Sequence, residues 1–284
     1  MAALPQSPPA STSEWQGRAQ LVYGVRGGRT VPVTAYAQAP LRLQKPLSGQ
    51  DEPCQSVLVH TAGGLVGGDR LDINIHLQSG SEALVTTAAA SKVYRCPNAA
   101  ARQRVHLHLE ANTCLEWLPQ EAILFNGARY RQDIRVELAP GALWLGWDIM
   151  RFGRSARGER FDQGDMRSHT EVWQAGQPIW GDRQFLIGGS PVLDSPHGLA
   201  GYPVVGTLAL VGRSPESEHI AQARQLWDCQ YSGDVGVTQL QSGLICRYRG
   251  PSSQQARRWF VAIWQQLRPW YLQRPVAVPR IWMS

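Results

Sequence analysis

Four short stretches of this chain carry residue types and spacings that could do chemistry. The first is His60-Thr61-Ala62-Gly63-Gly64-Leu65-Val66-Gly67-Gly68-Asp69-Arg70. Its glycines let the backbone take positive φ and come close to another group. A phosphate-binding loop would continue with Gly-Lys-Ser/Thr and open a helix. This one closes on Asp69 and enters Leu71-Asp72-Ile73-Asn74-Ile75-His76-Leu77, which alternates apolar and polar like a half-buried strand. A carboxylate there repels phosphate and suits a cation or a hydrogen-bond donor, so the loop reads as a tight turn between strands and not as a nucleotide site.

The second is the pair His106 and His108, two apart on a strand pattern and therefore on one face, a geometry that can share a metal. No third ligand is fixed by spacing, and the polar face of any half-exposed strand gathers histidines, which favours the plainer reading. The third is Glu116-Trp117-Leu118-Pro119-Gln120-Glu121. Two carboxylates beside a tryptophan could work on a glycosidic bond. A structural turn with exposed acids, broken by Pro119, fits better. The fourth is Gly146-Trp147-Asp148-Ile149-Met150-Arg151-Phe152-Gly153-Arg154. Asp148 alternates with Trp147 and Ile149 and so faces away from them, into the body. An enclosed aspartate needs a partner or a cation; Arg154 is near enough in the chain to serve, and a salt bridge and a metal way-station fit equally. No nucleophile elbow and no His-Glu-x-x-His motif is present, and no catalytic triad assembles.

The elements that must hold these residues follow one theme. An alternating strand runs to a leucine, a short polar turn follows, and a second strand begins. Segments 71–77, 105–109 and 134–138 repeat it, with a weaker fourth at 170–173, and the turns fall about 30 residues apart. With no helical pattern between them, the expectation is a mainly β protein: an elongated β-helix or solenoid-like stack of two-strand units, with a closed barrel or sandwich as the alternative. Two helices come late. Ser214-Pro215-Glu216 reads as the start of one, covering about 215–229. The second spans 253–272, where Phe260, Ile263, Trp264, Leu267 and Tyr271 recur every three or four residues. The proline-bearing stretch from Arg274 to Trp282 reads as an extended tail. Residues 1–13 read as a disordered leader and 14–284 as a single domain.

Composition narrows the class. The 284 residues carry a formal net charge of +6, spread over single arginines with very few lysines. No basic run or nucleic-acid motif occurs, and scattered arginine suits carboxylates on a protein partner equally well. No apolar run is long enough for a membrane span, and the leader lacks signal-peptide features, so a soluble cytoplasmic protein is expected. Five widely spaced cysteines without a Cys-x-x-Cys pair read as reduced, mostly packed thiols.

Taken in order, several of these segments resemble the urease accessory protein UreD family, called UreH in some organisms. They are Gly63-Gly64-Leu65-Val66-Gly67-Gly68-Asp69, the run from Thr86 to Arg95, the run from Leu115 to Phe125, Gly146-Trp147-Asp148, Phe152-Gly153-Arg154 with Gly158-Glu159-x-Phe161, and Pro279-Arg280-Ile281-Trp282. The resemblance implies a β-helix-like fold with two helices and a non-catalytic role. It further implies partners: urease apoprotein on one side, and on the other a complex of UreF with the GTPase UreG. No cofactor is expected to be held permanently; Ni2+ passes transiently through an internal polar passage. The residues it implies as passage-lining acids are Asp69, Asp148, Asp182 and, more weakly, Glu171, with Arg154 supporting Asp148. Trp264 and Trp282 are candidate contacts for a partner. The alternative is a β-solenoid carbohydrate-active enzyme using Glu116 and Glu121.

Overall fold

The computed structural model describes residues 14–47, 52–274, 276 and 278–282. The leader expected at 1–13 lies outside them. The chain enters through a hairpin of β1 (Gln16–Arg26) and β2 (Arg29–Gln38) and the short β3 (Leu41–Leu43). It then winds into a solenoid-like stack of about four turns, as the repeat pattern predicts. Each turn gives one strand to each of two sheets. The first turn is β4 (Cys54–His60) and β5 (Arg70–Leu77); the second is β6 (Glu82–Thr87) and β8 (Ala101–Leu109), with β7 (Ser91–Val93) at the corner between them. The third turn is β9 (Cys114–Leu118) and β11 (Arg129–Leu138), with β10 (Ala122–Leu124) at its corner. The fourth is β12 (Leu143–Phe152) and β13 (Asp165–Gln174). Strands β5, β8, β11 and β13 pair in parallel, as do β4, β6, β9 and β12.

The leucine that ends each unit explains the register. Leu77 lies opposite Leu109, and Leu109 opposite Leu138, so the side chains stack turn upon turn. All three are buried. A slip of one residue would turn this row, and Ile73, Val105 and Ile134 with it, out to solvent.

After β13 the chain doubles back as β14 (Gln177–Ile187), closing the seven-stranded sheet β14-β13-β11-β8-β5-β1-β2. It crosses to the other sheet as β15 (Val204–Val211), antiparallel to β12, and continues with β16 (Asp234–Leu240) and β17 (Gly243–Gly250). One apolar core fills the space between the sheets. A second lies between the larger sheet and α2 (Ser253–Leu272), built from Trp147, Leu208, Phe260, Ile263, Trp264 and Leu267. Both faces of β12 are therefore covered.

Helix α2 has the expected bounds, and its stripe faces the sheet. Ser252 caps it, its hydroxyl accepting from the Gln255 N–H. The earlier helix, α1 (Ser217–Gln225), is shorter than expected at both ends. Ser214 does not cap it; its hydroxyl donates to the Gln241 carbonyl and ties the loop to the β16–β17 hairpin instead. The tail is not extended to its end, because Arg280–Trp282 closes into a single 3-10 turn. Four of the five cysteines are buried, Cys229 being the exposed one. No described helix is long and apolar enough to cross a membrane.

Candidate functional site

Asp148 sits in the middle of β12, between Trp147 and Ile149. Those two pack outward under α2, so strand alternation turns the carboxylate into the space between the sheets. There the Gln132 amide donates to it at 2.8 Å, and the Ser168 hydroxyl lies 3.4 Å from the same oxygen. Both donors come from the facing sheet, Gln132 from β11 and Ser168 from β13, at positions paired across the two strands. Among the described residues no cationic side chain pairs with Asp148. Burial pushes its carboxyl up to about 6, Gln132 offsets part of that, and the negative Asp182 adds to it.

Asp148 forms part of the wall of two cavities. The larger, of about 320 Å3, runs toward the glycine loop and is also lined by His60, Gly63, Gly64, Tyr130 and Gln132. The smaller, of about 20 Å3, lies on the other side and is lined by Ser168, Thr170, Trp180, Asp182 and Thr207. Asp182 pairs with Thr170 across the β13–β14 ladder and so shares the inner face with Ser168. Its two oxygens take a bidentate contact from Arg247 at 2.7 and 2.8 Å, and the Gln184 amide donates to it as well. Two carboxylates thus stand in file along the interior, one neutralised by arginine and one not.

The larger cavity also holds His60. Its Nε2 is buried and has no hydrogen-bond partner among the described residues, and burial lowers its pKa, which leaves a neutral imidazole at pH 7. No group of three or more His, Cys, Asp or Glu side chains converges on one point among the described residues. What the interior offers a cation is a series of single oxygen donors and one imidazole, spaced apart.

The other candidate residues fall elsewhere. Asp69 is buried, and its carboxylate accepts from the N–H of Trp15 at 3.0 Å and of Val66 at 2.9 Å, which closes the glycine loop on itself and ties it to β1. Gly68 precedes it with φ +93°, a conformation that side-chain-bearing residues rarely take. Glu171 lies one residue from Thr170 and therefore on the opposite, outer face, where it accepts from Arg183 and Trp173 and contacts His169. Arg154 does not support Asp148: it follows the strand end and pairs within its own turn with Glu159, its guanidinium lying over Phe125.

His106 and His108 share the outer face as alternation requires. They lie half-exposed at 3.8 and 3.4 Å from Glu137, which makes them a surface ion-pair group.

Glu116 is not an exposed turn acid. It is fully buried, and one oxygen accepts from Trp264 at 2.7 Å, Arg268 at 3.1 Å and Tyr271 at 2.6 Å, all from α2. It cannot meet a substrate alongside Glu121, which accepts from Ser253 at the other end of the same helix. Trp264 is likewise fully buried. Trp282 docks on the body of its own chain: its ring lies 5.5 Å from Trp147 and 5.6 Å from Trp264, and its N–H donates to Thr86 at 3.0 Å.

Gln132, Ser168, His60 and Arg247 are the functional neighbours that spacing does not reveal. Gln132, Ser168 and His60 come from three different turns by cross-strand register, and Arg247 comes from β17, opposite Thr207. The alternation Gln132–Ile134–Val136 on β11 is a signal that could have marked Gln132 as an inward polar group.

A β-solenoid-like stack with a file of acids along its interior, closed on one side by a C-terminal helix, is thus the class of protein that fold and site define. Comparison with known proteins makes it specific. Residues 16–283 match the family described as UreD urease accessory protein. A urease accessory protein UreD from Nostoc punctiforme is 54% identical over 269 residues, covering 94% of this chain and 96% of that protein. That of Acaryochloris marina is 52% identical over 271 residues, covering 95% and 96%, and that of Methylobacillus flagellatus is 42% identical over 269 residues, covering 94% of each. The chain belongs to the UreD family of urease accessory proteins.

Proposed function

We propose that this chain serves urease maturation as a non-catalytic scaffold in the cytoplasm. It binds urease apoprotein on one side and a UreF–UreG complex on the other, and Ni2+ delivered by the GTPase UreG travels through its interior toward the urease active site. The observation that carries this reading is Asp148. A carboxylate raised to about 6 by burial, bordering two cavities and lacking a cationic partner among the described residues, gains more from an arriving divalent ion than a solvated one would.

The chemistry suits passage better than storage. Single carboxylate oxygens hold a divalent ion weakly, whereas a cage of thiolates and imidazoles would trap it. Movement along a route needs sites that are favourable to enter and still able to release. His60, whose buried Nε2 has no hydrogen-bond partner among the described residues, can hand a nitrogen donor to the ion ahead of Asp148. Asp182, already neutralised by Arg247, offers a weaker hold beyond it.

The test is co-expression of the chain with the urease subunits, UreF and UreG. The expected result is a co-purifying complex, and Asp148→Ala is expected to leave that complex intact while lowering urease activity and urease nickel content together. Full activation by Asp148→Ala would overturn the passage. Failure of the unaltered chain to co-purify with urease or with UreF would overturn the scaffold.

A further inference from the structure

The outer face of the seven-stranded sheet carries a second, different feature. Cross-strand register places Arg70 opposite Arg102, Arg102 opposite Arg131, and Arg131 opposite Arg167. Four adjacent parallel strands therefore present arginine in one unbroken row, which spans roughly 14 Å at the usual strand spacing. Like charges directly opposite one another destabilise a sheet. The next row along the same strands avoids this, alternating Arg18, Asp72, Arg104, Asp133.

Little within the chain neutralises the arginine row. Asp165 pairs with Arg131 and with Arg129, and the guanidinium of Arg167 lies over the Phe185 ring at 4.7 Å. The exposed Arg70 and Arg102 make no side-chain ion pair or hydrogen bond among the described residues. Together with Arg129, Arg131, Asn98 and Glu14 they border a cleft of about 280 Å3.

We infer that this row is a docking surface for a carboxylate-rich helix of a protein partner, laid across the strands. Two matches support that occupant. Carboxylates repeating on one helix face advance about 5.4 Å per turn, close to the roughly 4.8 Å between strands, and flexible arginine side chains absorb the difference over four rungs. Planar guanidinium groups also bind carboxylates in a bidentate way. A nucleic acid fits less well, because phosphates continuing past the row would meet Asp72 and Asp133 on one side and Glu14 and Asp165 on the other. The inference is independent of the nickel route, which lies between the sheets.

The test is a titration of the full chain with a fluorescent alanine-based helical peptide carrying glutamate every three or four residues on one face. The double variant Arg70→Gln/Arg102→Gln is expected to bind it about tenfold more weakly than the unaltered chain, with the difference shrinking at high salt. Arg26→Gln/Arg29→Gln, at the tip of the β1–β2 hairpin, should change binding less than twofold. The row variant should also melt no lower than the unaltered chain, since it removes like-charge contacts. Unchanged binding by the row variant, an equal loss in the hairpin variant, or a lowered melting point would overturn the docking surface. So would a DNA duplex that binds more tightly than the peptide and loses affinity in the row variant, which would assign the row to nucleic acid.

Discussion

Replacing Asp148 with asparagine should make the protein more stable, and only at neutral and alkaline pH. The carboxyl is held at about 6 in the folded chain against an ordinary 3.8, so the native state binds that proton more tightly than the unfolded state does. A group whose folded pKa is raised adds stability as pH falls through that value, and the gain levels off below the ordinary value. Above pH 7 the folded chain carries an ionised, poorly solvated aspartate at a cost of about 3 kcal/mol. Asparagine has no such cost, and its side-chain oxygen can still accept from Gln132. The variant is therefore expected to exceed the unaltered chain by about 2–3 kcal/mol at pH 8, and the two should converge near pH 4. For a domain of this size that corresponds to roughly 4–12 °C in melting temperature at pH 8. Urea unfolding of both proteins at half-unit pH steps from 4 to 8 measures the difference directly. A gap that does not change with pH, or a variant less stable than the unaltered chain at pH 8, would refute the reasoning. On the proposed route the same variant should activate urease poorly, because it removes the unmet charge that would attract the ion.

Other outcomes follow from the buried contacts of α2 and from the loop. Glu116→Gln should cost about 3–5 kcal/mol, since it leaves the fully buried Arg268 with the partly exposed Glu52 at 3.3 Å as its one remaining acidic partner among the described residues. Glu116→Leu/Arg268→Met should cost much less than the two single changes added, and a double-mutant cycle by urea unfolding checks this. Trp282→Ala should cost about 1–3 kcal/mol by removing the tilted ring contact with Trp147, the edge-to-face contact with Trp264 and the hydrogen bond to Thr86. It should also speed proteolysis of the tail, read by mass spectrometry. Gly64→Ala should lower the melting temperature, because its methyl would lie 2.5 Å from the Tyr94 ring and 2.8 Å from the Lys92 carbonyl oxygen; the expected cost is about 1–3 kcal/mol.

The stack was legible in the sequence because its determinant is local. Leu77, Leu109 and Leu138 each end an alternating strand before a turn, and a period of about 30 residues brings each onto the next. Helix α2 was legible for the same reason, its apolar stripe lying within one segment. The inward aim of Asp148 followed from alternation alone. Its partner did not. Arg154 is close in the chain, but a glycine with positive φ at 153 turns it away to Glu159, while Gln132 and Ser168 arrive from other turns by register. Glu171 and Thr170 differ by one position, and that single step decides between the outer face and the interior. Glu116 was misjudged because the donors it needs sit about 150 residues later, on α2, where no short-range pattern could announce them.

The two outermost strands of the seven-stranded sheet share a device. Both run antiparallel to the stack. β2 carries Pro32 where its ladder with β1 slips beside Tyr23, and β14 carries Pro178 where its ladder with β13 slips beside Trp173. A proline offers no N–H to a newcomer, and a bulge spoils the spacing that a further strand would need. A pile of parallel strands is otherwise an open template for templated growth, by a second copy of the same chain or by any extended peptide. With both ends of this sheet terminated in that way, polymerisation by strand addition is blocked at each. Whatever assembles with this sheet must recognise side chains on its broad face, which makes such assembly a matter of surface chemistry that can be changed one residue at a time.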